Sequence, residues 1–74
     1  MTEEEFKNDK AKLIIHFAKI ILIKIREVED SKDKLSIYFE SIETINYLAK
    51  LEYSEYINNK EVYKEVKQNI YNLL

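Results

Sequence analysis

The sequence predicts an all-α chain of three helices, and three observations carry that prediction. Glycine and proline are both absent, which removes the residues that tight β-turns need and the residues that break helices. Apolar residues recur at steps of three and four along most of the 74 positions. Capping-box spacings with apolar neighbours in staple positions stand at Thr2–Glu5 and Asn58–Glu61. Helices are therefore expected over about 3–29, 32–57 and 59–73. They read as a long antiparallel hairpin followed by a shorter third helix, in a single domain covering 1–74.

The first helix starts at Thr2, with Met1 and Phe6 as the staple pair and Glu3, Glu4 and Glu5 in the turn where the helix dipole favours negative charge. Its pattern runs to about Glu29. The polar run Glu29-Asp30-Ser31-Lys32-Asp33 then forms a link, in which Asp30 or Ser31 is the next N-cap. In the second helix Leu35, Tyr38, Phe39, Ile42, Ile45, Ala49, Tyr53 and Tyr56 form the stripe expected to face the core, and Ser54 is the position where a break would fall. In the third, Ile57 and Val62 flank the Asn58 cap, and Val62, Tyr63, Val66, Ile70, Leu73 and Leu74 make one apolar stripe. Of the tyrosines, Tyr38, Tyr53 and Tyr63 are expected at core edges, and Tyr47 and Tyr71 on the surface.

A chain this short buries only about 60% of the surface its unfolded form exposes, so it needs a staple, a partner or efficient packing. Cysteine is absent, which excludes disulfides, thiolate zinc sites and thiol nucleophiles together. The net charge of −2 names no partner class, but its distribution is uneven. Residues 7–26 hold six basic groups against Asp9 alone, and residues 27–61 hold nine acids against four lysines. The acidic start is unlike a secretion signal. The most apolar stretch, Leu13 to Ile25, contains His16, Lys19 and Lys24 and is shorter than the ~20 apolar residues of a membrane span. A cytoplasmic location is expected. Abundant Ile, Lys, Asn and Tyr point to AT-rich coding, as in a low-GC bacterium, its phages and plasmids, or an archaeal virus.

At 100° per residue, Lys12, His16, Lys19, Ile23 and Arg26 occupy a stripe about 80° wide on the first helix, and apolar residues cover an arc of roughly 200°. That arc is too wide for one neighbour, and a third helix of ~22 Å cannot cover a first helix near ~40 Å. On the second helix Ile37, Tyr47, Leu48 and Leu51 lie opposite the expected core stripe, and they are expected to form an exposed partner-binding face. The simplest closed arrangement is a homodimer of two hairpins, a four-helix core flanked by the third helices.

Signals for chemistry are few. His16 sits among Lys12 and Lys19, whose charges repel a metal, and it reads as a solvated surface residue. The pairs Glu40/Glu43, Glu52/Glu55 and Glu61/Glu65 lack the Glu-x-x-His element of helical metal sites and read as solvated faces. The serines Ser31, Ser36, Ser41 and Ser54 have no adjacent base, and loops built on glycine are ruled out. No catalytic residue, metal or cofactor is expected. Lys24 and Asn46 interrupt apolar arcs and read as packing details, Asn46 as a residue that sets register or association state.

The function expected is that of a non-catalytic protein-protein interaction module of adaptor, inhibitor, immunity or antitoxin type, binding a protein partner or itself. In size and helical character the chain is similar in kind to bacteriocin immunity proteins and small viral helical adaptors, and no functional residue is carried over from them. The alternative is a nucleic-acid-binding helical dimer using Lys12, Lys19 and Arg26, against which stand the acidic total and the single arginine. Attachment of the first helix to a membrane surface ranks third, because the core needs the same apolar arc.

Overall fold

The structure, a computed structural model, describes residues 1–73, so Leu74 of the expected third stripe lies outside it. It contains four helices: α1 (Glu3–Glu27), α2 (Ser31–Lys50), α3 (Tyr53–Asn58) and α4 (Lys60–Tyr71). No strand occurs among the described residues. α1 begins as its sequence predicts. Thr2 Oγ1 accepts the Glu5 N–H at 3.2 Å, and Glu5 Oε1 accepts the Thr2 N–H at 3.1 Å. That second bond is the main cause holding the Glu5 carboxyl below its usual range. Asp30 caps α2, its Oδ1 accepting the Lys32 N–H at 2.8 Å.

The second predicted helix is divided in two. The backbone turns extended at Leu51 and Glu52, so α2 ends at Lys50 and Ser54 lies exposed inside α3. A tertiary contact does here what glycine or proline does elsewhere. Lys10 Nζ donates to the Leu51 carbonyl at 2.9 Å and to the Ala49 carbonyl at 3.5 Å. A cation thus satisfies carbonyls at the helix C-terminus, where the dipole favours it. The Asn58 capping box does not form. α4 follows Asn59 (φ −150°, ψ 67°) without a side-chain cap bond, and Ile57 and Val62 are both exposed. Instead the Asn59 N–H closes α3 onto the Glu55 and Tyr56 carbonyls at 3.2 Å each, and the buried Tyr56 sets the direction of the turn.

Tyr56 belongs to an aromatic cluster that ties three helices together. The Phe6 ring of α1 lies 5.8, 4.7 and 5.4 Å from those of Tyr53, Tyr56 and Tyr63. The Tyr53 hydroxyl donates to the Met1 carbonyl at 2.9 Å. One turn further along, Asp9 Oδ1 accepts from Lys67 Nζ at 2.8 Å and Asp9 Oδ2 accepts from the Tyr63 hydroxyl. The His16 ring, half-buried rather than solvated, sits 4.7 Å from that of Tyr71. These pairings run in the same order along both helices, so α4 lies parallel to α1. α2 runs the other way, with Lys10 beside its end and its start at Ser31 directly after the end of α1 at Glu27.

Burial opposes ionisation of Asp9, but the bonds from Lys67 and Tyr63 outweigh it and hold the carboxyl below its usual range. Burial, and then the bond to Asp9, pushes the Tyr63 hydroxyl above the tyrosine range. A lowered native pKa means that Asp9 stabilises the fold above its unfolded pKa of ~4 and stops doing so as pH falls through the native value. Asp9→Asn is therefore expected to cost about 1 kcal/mol at pH 7, and the difference from wild type should shrink toward zero below the native pKa. Urea melts at pH 7 and in acid check this; an equal penalty at both would show that the charge is not responsible.

The buried apolar core is Phe6, Leu13, Phe17, Ile20, Leu48, Leu51, Tyr56, Tyr63 and Ile70. The described chain is a rod of 42 × 16 × 16 Å with a radius of gyration of 13.5 Å, against roughly 11 Å for a compact domain of this length. A rod two helices thick cannot bury both of its faces.

Candidate functional site

The exposed apolar surface is on the opposite side of α2 from the one the sequence pattern indicates. Leu48 is 0% and Leu51 7% exposed, both in the core, so the face expected from Ile37, Tyr47, Leu48 and Leu51 does not exist as a surface. Ile37 is half-buried, and Tyr47 lies exposed apart from the others. The stripe assigned to the core is largely outside: Leu35, Tyr38, Phe39 and Ile42 are all exposed, Phe39 to 67%. Within α2 Ile45 alone of that stripe packs against the core, while its last two members, Tyr53 and Tyr56, reach the core from α3. The reversal is possible because Ser41 occupies a core position. Its hydroxyl donates to the Ile37 and Tyr38 carbonyls at 2.6 and 2.9 Å, so it is buried without an orphaned polar atom.

α1 adds to the same surface. Around its circumference, Asp9 and His16 meet α4, then come the core residues Leu13, Phe17 and Ile20, then the α2-facing side with Lys10 and Ile21. Next come exposed Ile15 and Leu22, and beyond them the exposed ridge Lys12, Lys19 and Arg26. On α2 the order is Ile37 and Thr44 toward α4, then Ser41 and Leu48, then Ile45, then Tyr38, Ile42, Leu35 and Phe39. Both free stripes thus lie on the side of the α1–α2 pair that α4 does not cover. They follow the spacing 15, 18, 22, 25 on α1 and 35, 38, 42, 45, 49 on α2, with Ala18, Ile25 and Ile45 half-buried along them and the exposed Phe39 beside the second. Alternating steps of three and four are the seam of a helix that packs lengthwise on another helix. Asn46 is exposed at the margin of this surface.

A second feature follows from the length of α4. Its 12 residues span about 18 Å beside an α1 of about 37 Å. Where α4 stops, a cleft of about 580 Å³ opens between α1, α2 and α4, floored by Phe17, Ile21, Val66 and Ile70 and edged by the half-buried Lys24 with Glu40. Of the expected core-edge tyrosines, Tyr63 is buried and Tyr53 half-buried, while Tyr38 is exposed.

All members of the pairs Glu40/Glu43, Glu52/Glu55 and Glu61/Glu65 are exposed. Among the described residues no group of three or more His, Cys, Asp or Glu is placed to hold a metal. No described helix is long and apolar enough to cross a membrane. No protein-family model, curated protein or solved structure matches the chain.

Proposed function

We propose that this chain is a non-catalytic protein-protein interaction module, whose working surface is the apolar face shared by α1 and α2. One observation carries the reading. α2 buries only Ser41 and Leu48 while it exposes Leu35, Tyr38, Phe39 and Ile42. An amphipathic helix normally turns its richer apolar stripe inward, and a contiguous exposed patch of large side chains marks a docking site. The heptad spacing on two adjacent antiparallel helices fits a helical partner that lays its own apolar stripe along theirs.

The ridge of Lys12, Lys19 and Arg26 is the charged rim of this surface. Three cations on a chain of net charge −2 make a weak phosphate-binding surface, so the rim role is preferred to nucleic-acid binding. Phe39→Glu is the test, because the ring is largely in water and its loss leaves no core cavity. The expected result is unchanged helicity by circular dichroism with loss of association, read as particle mass by light scattering, and with weaker binding of an apolar fluorescent dye at dilutions where the chain is monomeric. Unchanged mass and dye binding would remove the proposal.

A further inference from the structure

We infer that the partner on this face is a second copy of the chain, with each α1 lying over its partner's α2. The inference rests on the docking reading above and adds the occupant and its orientation. Area is the first argument. Two helices side by side, about 30 Å long and 20 Å wide, present roughly 600 Å² per protomer, or about 1,200 Å² in a pair. That reaches the lower bound of specific protein interfaces. The face is also self-complementary in kind, since both stripes carry the same alternating steps and a lengthwise helical stripe is what each needs to meet.

Charge then selects between the two ways in which a two-fold axis can relate the faces. An axis across the helices lays α1 on the partner's α1 and brings the two Lys12–Lys19–Arg26 ridges together. An axis along the helices lays α1 on α2 and keeps those ridges apart. In the second arrangement heights along the rod are preserved, so the register within one chain predicts the pairs between chains. Lys10 lies beside Ala49 and Leu51, and α1 ends at Glu27 just before α2 begins at Ser31, which puts Lys19 within about one helical turn of the height of Glu43. Both residues are exposed, and both stand on the outer rim of their stripes. The geometry therefore pairs Lys19 of each protomer with Glu43 of the other, twice per dimer. Like charges would meet there in either single reversal and not in both together.

The experiment is sedimentation equilibrium of the full chain and of Lys19→Glu, Glu43→Lys and the double variant. Wild type is expected to be dimeric at concentrations on the order of 100 μM. Each single reversal should weaken the dimer roughly tenfold through its two rim contacts, and the double reversal should restore most of that loss. Single reversals that weaken association without rescue in the double variant would overturn the α1-on-α2 orientation. A wild-type monomer at all concentrations would overturn the second copy as occupant. In that event dye binding lost in Phe39→Glu would leave the docking face standing, and dye binding unaffected by it would remove both readings.

Discussion

Leu48→Glu is expected to unfold the chain, whereas Phe39→Glu is expected to leave its helices intact. The two positions lie on one helix, nine residues apart, and differ in what surrounds them. Leu48 has no exposed surface and lies among Phe6, Leu13 and the other core residues. A carboxylate there has no partner and either stays neutral at a large cost or drags water inward, a change of more than about 4 kcal/mol. Domains of this length have stabilities of roughly 4–11 kcal/mol, and a rod with so small a core belongs at the lower end, where a loss of that size leaves little or nothing. At position 39 the new carboxylate is hydrated, and monomer stability changes by only a few tenths of a kcal/mol. Circular dichroism at 25 °C and at low micromolar concentration separates the two, since dilution removes the stabilisation that association would add. If Leu48→Glu retained the wild-type signal and Phe39→Glu lost it, α2 would pack through Leu35, Tyr38, Phe39 and Ile42, and the docking face would be the core.

That contrast also shows where sequence reading stops. Helix character, the Thr2 cap and the Asp30 cap are local: each depends on groups within a few residues, and each is present as a hydrogen bond. The surplus of apolar surface was legible too, because a 74-residue chain with two apolar stripes on α2 cannot bury both. Which stripe goes inward is decided by packing against α1 and α4, and angles around one helix do not contain that information. Ser41 is the residue that makes the less apolar side fit inward. A serine marks a solvent face by hydropathy, yet one that bonds back to the carbonyls of Ile37 and Tyr38 presents a small, satisfied surface that lets α1 come close. The end of α2 was hidden for a related reason. Its stop signal is Lys10, about 40 positions away in sequence.

Phe6→Ala is expected to be the most damaging truncation in the chain. Phe6 is 1% exposed and stands where α1, α3 and α4 converge, with three tyrosine rings around it and the Lys10 ammonium 5.5 Å from its centroid. Removing the ring costs about 3–5 kcal/mol in lost burial and cavity, and each favourable ring pair adds to that. The consequence reaches further than the cavity. α3 is six residues long, too short to be helical alone, and its only buried residue, Tyr56, stacks on Phe6. Without that contact the chain has nothing to turn on after Leu51, and α4 loses the direction that brings Tyr63 and Lys67 to Asp9. The near-ultraviolet circular dichroism of the tyrosines should therefore vanish, and the urea midpoint should fall by at least half. Phe6→Leu retains part of the burial and should fall between. If Phe6→Ala unfolded no more easily than an exposed truncation such as Leu35→Ala, the aromatic cluster would not be what holds α3 and α4 against α1.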